Sequence, residues 1–267
     1  MRSKNERGNA VTSTSTAVQS RVVLYQPSQR PTLRTGEWME TSYGRCRVTG
    51  RLGQRHADVL EAIMYCAEKT RTVSDGGVEL LVDPAQIRKT LSDSRYSFKQ
   101  IEKLIVDLRV ATITIEVPKF DFPIIGGLID HVIPSAMTRP NPLNGRAGTR
   151  ALWRVRLGVA YVTLLKGDVK VYYDPTPIAR LECGISQAVA RHVLSHKVGP
   201  KGGWYVDTLI VAVAGEISGQ AMRDARRYLQ GDEGGLREMG IILEGDRIKR
   251  GVAQPPDDED GERALPA

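Results

Sequence analysis

The segment Ser218-Gly-Gln-Ala-Met-Arg-Asp-Ala-Arg-Arg-Tyr-Leu-Gln230 carries hydrogen-bonding side chains at helical spacing. At about 100° per residue, Met222, Ala225 and Leu229 fall together on one inward face. Gln220, Arg223 and Arg227 then project outward together, with Arg226 at the margin. Arginine pairs bidentately with the guanine edge and glutamine with the adenine edge, so this face has the chemistry to read bases. On an isolated helix the same pattern is an ordinary solvated charged face. A short helix before it, the Gly215–Ser218 turn and a hairpin after it favour recognition. Asp224 is placed to pair with a neighbouring arginine, either holding its guanidinium or forming a surface ion pair of small worth.

Two further sets are basic. Arg95, Tyr96, Lys99, Gln100 and Lys103 occupy one side of an earlier amphipathic helix. They are poorer in arginine and fit phosphate positioning better than base reading; a dimerisation role for that helix competes. Beyond the Ser218 helix, Ile241–Leu243 and Arg247–Arg250 form a tight hairpin across Glu244-Gly-Asp246. Its turn is acidic, so backbone contacts would come from Arg247, Lys249 and Arg250, which are otherwise a solvated strand edge.

Catalytic constellations are harder to find. His56, His131, His192 and His196 include no His-hydrophobic-His triplet of the kind a DNA-cutting initiator needs. His192 and His196 have the i, i+4 spacing of a zinc site, but Val193 stands where a His-Glu-x-x-His motif has glutamate, and no third ligand is evident. The His-x-x-Arg box of tyrosine recombinases would need arginine at 195 or 199, where Ser195 and Gly199 stand. Tyr172 and Tyr173 read as packing residues of a strand. Gly199–Gly203 lacks the P-loop spacing and follows a helix, so it reads as a turn. Cys46, Cys66 and Cys183 have no Cys-x-x-Cys spacing and fit reduced, mostly buried thiols. No enzyme activity, cofactor or metal is expected.

These residues need elements to position them. Residues 1–36 are rich in Ser, Thr, Arg and Pro and are expected to be a disordered basic arm. A first unit, 37–150, opens with a strand at Tyr43–Thr49 and a helix at Gln54–Lys69. A strand at Val78–Val82 and a helix started by Asp83-Pro84 follow. A third helix from Ser97 buries Phe98, Ile101, Leu104, Ile105 and Leu108, and leads into the alternating strand Ala111–Val117. The Pro-rich stretch 118–150 is expected to hold one wing strand, Ile124–Ile133, and then a linker.

A second unit, 151–251, repeats the scheme. Strands at Trp153–Leu157 and Val169–Tyr173 flank a helix at Val159–Leu165, and Pro175–Leu181 is another short helix. A helix capped by Ser186 runs to Lys197, one capped by Asp207 runs to Ala214, and the Ser218 helix and hairpin close the unit. Residues 252–267 are expected to be an unstructured acidic tail. The fold class is therefore α+β, with two tandem winged-helix domains.

The composition agrees. At 267 residues with 41% hydrophobic content, the chain can build a core. The formal charge is +7, yet residues 255–267 hold five acidic side chains against Arg263 alone, which leaves +11 on residues 1–254. Such an excess suits a polyanion. No run approaches the roughly 18 apolar residues of a membrane span, and the charged start is not a secretory signal. A cytoplasmic location without membrane partners is expected.

The pattern resembles the plasmid Rep initiators of iteron origins, the two-winged-helix group. The resemblance is carried by Val169-Lys-Val-Tyr-Tyr173 and by Ile185-Ser-Gln-Ala-Val-Ala-Arg-His-Val-Leu194, a helix with an Ala-Arg pair. Trp204-Tyr-Val-Asp-Thr-Leu209, Met222-Arg-Asp-Ala-Arg-Arg227 and Leu236-Arg-Glu-Met-Gly-Ile241 extend it. It implies binding of repeated double-stranded origin sites by both units, opening of an adjacent AT-rich segment and recruitment of the host replicative helicase or its loader. It also implies self-association as monomer and dimer, and autorepression in many members. A transcriptional repressor of a plasmid or mobile element is the main alternative, and a partition or structural protein that binds DNA non-specifically is another.

Overall fold

The computed structural model describes residues 14–92, 95–140 and 148–251. The expected acidic tail, the Asp93-Ser94 turn and the first part of the expected arm lie outside these residues. The fold is α+β.

The first part of the chain comprises β1 (Ser15–Thr16), α1 (Ala17–Arg21), β2 (Arg34–Thr41), β3 (Gly44–Gly50), α2 (Gln54–Tyr65), β4 (Ala67–Thr72) and β5 (Val78–Val82). It continues through α3 (Pro84–Thr90), α4 (Phe98–Val110), β6 (Thr112–Glu116), β7 (Ile124–Gly126), β8 (Ile129–Pro140), β9 (Thr149–Leu157) and α5 (Val159–Gly167). Two antiparallel four-stranded sheets, in the orders β2-β3-β6-β7 and β4-β5-β9-β8, pack with α2, α3 and α4 around one core. Local chemistry starts the helices. Asp83 caps α3 by accepting from the Ala85 amide, with Pro84 at the first position, and Ser97 and Gln100 form a capping box on α4.

The second part holds β10 (Lys170–Val171), α6 (Thr176–Arg180), α7 (Gly184–Leu194), β11 (Trp204–Tyr205), α8 (Val206–Ala214), α9 (Gly219–Gly231), α10 (Glu233–Glu238), β12 (Ile241–Glu244) and β13 (Arg247–Arg250). Its core joins Val189, Val193, Leu209, Ile210, Leu229, Leu236, Ile241 and Ile248, all essentially inaccessible. Ser218 caps α9 by accepting from the Ala221 amide. The other two expected caps are corrected. Asp207 lies in the first turn of α8 behind Tyr205, and Ser186 is buried inside α7 behind Cys183.

Three expectations change more deeply. Residues 14–36 are not a disordered arm: Val22, Leu24 and Tyr25 enter the first core, and β1 pairs with β10 through Ser15↔Val171. Arg21 donates to the Ser195 carbonyl at 2.7 Å and Gln29 to the Glu182 carbonyl at 3.0 Å, so this segment straps both parts together. The apolar run Val22-Val-Leu-Tyr25 was the signal against disorder.

The stretch 118–150 holds more than one strand and a linker. The expected strand Ile124–Ile133 divides at Gly127-Leu128 into β7 and β8, which end in different sheets. β8 continues to Pro140 and pairs with β9 as far as Pro140↔Thr149. The packing also does not divide at residue 150. β9 pairs with β5 through Val82↔Trp153, and Ala160, Tyr161 and Leu164 of α5 lie in the first core. The second core begins at Ile178.

Candidate nucleic-acid interface

α9 sits on its core through Ala225 and Leu229, with Met222 packed against the same cluster. Its outer face is exposed and internally bonded. Arg223 Nη2 donates to Gln220 Oε1 at 2.7 Å, and Gln220 Nε2 donates to Asp224 Oδ2 at 3.2 Å. Arg227 Nη2 donates to Asp224 Oδ1 at 2.9 Å. Gln220, Arg223 and Arg227 thus share one surface, strung along a short chain of polar contacts. Asp224 pairs with Arg227, as its position suggested.

Arg226 behaves differently. Its Nε donates to Asp207 Oδ1 at 2.7 Å and its Nη2 to the other carboxylate oxygen, so it ties α9 to α8. That bidentate contact holds the Asp207 carboxyl below its usual range and raises the Arg226 guanidinium.

β11, β13 and β12 form a three-stranded antiparallel sheet beside these helices. The Arg247 guanidinium lies 3.4 Å from the Tyr205 ring centroid, directly across from it in register. Lys249 reaches Glu244 at 2.5 Å. Alternation places Arg247 and Lys249 on one face and Arg250 on the face of buried Ile248. Arg250 there acts electrostatically on His196. The three basic residues of the hairpin are therefore split between two faces.

In the first part, the expected set on α4 does not stay together. Tyr96 is corrected: it is 2% exposed, and its hydroxyl donates to Asp58 Oδ2 at 2.5 Å. The partner lies 38 residues upstream on α2, beyond the reach of helix periodicity. Arg95 donates to the Leu181 carbonyl at 3.0 Å, and Gln100 is engaged in the α4 capping box. Lys99 and Lys103 are exposed.

His192 and His196 pack with their rings 4.9 Å apart, against Tyr43 and Trp204. Tyr43 Oη lies 2.9 Å from His196 Nε2. Burial pushes His192 down to about 4 and lowers His196 as well. Among the described residues, no group of three or more His, Cys, Asp or Glu side chains is placed to hold a metal ion. Cys46 and Cys66 are buried and Cys183 half-buried, and among the described residues none of the three is in a disulfide.

Sequence reading missed the role of Arg191. This second residue of the Ala-Arg pair is buried against α2, where it meets Asp58 at 2.5 Å and Glu61 at 2.9 Å and donates to Gln54 at 2.7 Å. The signal was present as the one Lys, Arg, Asp or Glu residue of this helix, and its partners lie about 130 residues away.

Among the described residues no helix is long and apolar enough to cross a membrane. The fold is similar to that of domains 2 and 3 of RctB. The crystal structure of selenomethionine derivatives of those domains matches with a TM-score of 0.53 at 11% identity, over 88% of this chain and 95% of that one. Another crystal structure of RctB domains 2–3 matches with a TM-score of 0.48 at 12% identity, over 87% and 94%. At these identities the likeness is one of fold. No family model and no curated protein matches the chain.

Proposed function

We propose that this chain is a replication initiator that binds duplex DNA through two winged-helix units. RctB is a replication initiator, and its domains 2 and 3 share this fold across nearly their whole length. The observation that carries the reading is the outer face of α9. Gln220, Arg223 and Arg227 stand exposed on α9, which follows α8 across the Gly215–Ser218 turn, with a three-stranded sheet and its hairpin alongside.

An α-helix fits the major groove, and such a helix reads base edges from there. In this reading Arg223 and Arg227 contact bases and Gln220 supports them. Arg226, held by Asp207, orients α9 on α8 and reaches a phosphate at most. Arg247, stacked on Tyr205, and Lys249 provide backbone contacts from the hairpin, and Arg250 belongs to its opposite face. In the first unit Lys99, Lys103 and Gln100 meet phosphate, and Arg95 braces the contact between units.

The proposed action is binding and deformation of origin repeats by a cytoplasmic, DNA-associated protein, followed by recruitment of the host helicase or its loader. It requires no bond-making step and no cofactor. Self-association as monomer and dimer belongs to the same proposal.

A footprint of the purified protein on the DNA flanking its own gene tests the reading. Evenly spaced direct repeats, protected in register beside an AT-rich stretch, are the expected result. A single inverted repeat with half-sites about one helical turn apart would make the protein a repressor. The absence of a discrete footprint would leave only non-specific DNA coating.

A further inference from the structure

The sheet β4-β5-β9-β8 covers the first core with one face, through Leu80, Val82, Val155 and Leu157. Its other face carries a concentration of positive charge. Strand register places Arg71 opposite Glu79, Glu79 opposite Arg156, and Arg156 opposite His131. In the next row on the same face, Lys69 lies opposite Leu81, Leu81 opposite Arg154, and Arg154 opposite Ile133. Three adjacent strands thus present Lys69, Arg71, Arg154 and Arg156 to one side, and Glu79 is the sole carboxylate in the two rows.

The charges are not balanced within the sheet. Arg71 meets Glu79 at 2.7 Å, and Arg156 is shared between Glu79 at 3.6 Å and Asp75 at 2.5 Å. Lys69 and Arg154 are exposed, and neither makes a salt bridge among the described residues. The position between them is Leu81, half-buried and apolar, where a glutamate would have neutralised both. Strand spacing sets these cations on a grid of roughly 10 by 7 Å. That is within the Debye length of about 10 Å at 0.1 M salt, so their fields add. Their repulsion across the intervening strand is only partly screened at this spacing, and a polyanion laid on this face relieves it.

We infer that this face is a second duplex-DNA contact surface that binds the phosphate backbone, separate from α9. The inference rests on the proposed DNA-binding role. A four-stranded sheet is too broad for a groove that admits one helix or a two-stranded ribbon, so the face positions DNA and carries no base specificity. Lys69 and Arg154 are its cations without a salt bridge among the described residues, although Arg154 helps hold the Glu79 carboxyl down. Arg71 and Arg156 flank them with their charge already shared.

The test uses the full chain and a random-sequence duplex, with affinity measured by fluorescence anisotropy across a salt series. In the double variant Lys69→Ala/Arg154→Ala, the slope of log K against log salt should become shallower by about 1.8, since each released phosphate contact contributes about 0.9. The affinity lost between 50 and 200 mM salt should then shrink roughly tenfold. The charge-conserving pair Lys69→Arg/Arg154→Lys should keep the wild-type slope. A wild-type slope in the alanine pair would overturn the inference while leaving the α9 reading intact. A wild-type chain that binds no duplex would overturn the DNA-binding role itself, and this face with it.

Discussion

The Arg191 guanidinium on α7 lies 2.5 Å from Asp58 Oδ1 on α2, with the first side chain 4% exposed and the second fully buried. Glu61, one turn further along α2, takes the same Nη2 at 2.9 Å. One cation therefore faces two buried carboxylates across the contact between the two cores. The remaining lone pairs are also satisfied. Tyr96 and Gln187 donate to Asp58, the latter at 3.1 Å, and Tyr173 donates to Glu61 at 2.6 Å. Removing one partner of such a set strands the others without water. Arg191→Met should destabilise the fold by about 3–5 kcal/mol, read as a lower denaturation midpoint. A loss no larger than that of an exposed arginine substitution would show that the network is not a structural clamp.

The strap from residue 14 to 30 gives a second test. Leu24 is fully buried in the first core, at the centre of the apolar run Val22–Tyr25. Leu24→Ala should cost about 2–5 kcal/mol, through lost transfer energy and the cavity left behind. Exposed Leu33, just beyond the strap, should tolerate alanine with little change. Equal, small effects at both positions in thermal denaturation would return the segment to the status of a loose arm.

Much of the helical framework was legible because its signals are local. Asp83-Pro84, the helix start at Ser97 and the inward stripe Met222, Ala225 and Leu229 each lie within one or two turns, where periodicity and capping chemistry act. Trp153–Leu157 was legible as a strand, but its partner was not. Nothing within β9 specifies that it joins β5 of the first unit, because that pairing spans about seventy residues. The same limit hid Tyr96 and Arg191. A tyrosine beside lysines reads as a surface residue until Asp58 comes to meet it. The basic sheet face was missed for a related reason: Arg154 and Arg156 sit in one strand, Lys69 and Arg71 in another, and only register makes them neighbours.

Stability should depend on pH through His192. Burial, reinforced by His196 and Arg21, lowers it from its ordinary 6.5 to about 4 in the folded protein. Well above pH 6.5 the ring is neutral in both folded and unfolded chains and exerts no pH effect. As pH falls from 6.5 towards 4, the unfolded chain takes up a proton that the folded chain refuses. Stability then drops by up to about 1.4 kcal/mol per pH unit from this residue. His56 and His196 are shifted the same way and add to the slope. Denaturant titrations at successive pH values should show the decline, and His192→Gln should flatten part of it. An unchanged pH profile in that variant would assign the decline to the other two histidines.

The arginines of α9 separate base reading from scaffolding. Arg223 and Arg227 bond only to neighbours on their own helix, so their guanidinium groups can turn to a ligand at small cost. Arg223→Ala and Arg227→Ala should each weaken specific binding by about 1–3 kcal/mol while leaving random-sequence affinity nearly unchanged. Arg226→Ala breaks the exposed pair with Asp207, which contributes little to stability. If Arg226 only orients α9, its loss should be matched by Asp207→Asn, since both variants release the same tether. A much larger loss of specific affinity for Arg226→Ala than for Asp207→Asn would instead make Arg226 a reader. Footprints that stay unchanged in both Arg223→Ala and Arg227→Ala would remove this face from recognition, and would shift the search for base contacts to the Tyr205–Arg247 side of the hairpin.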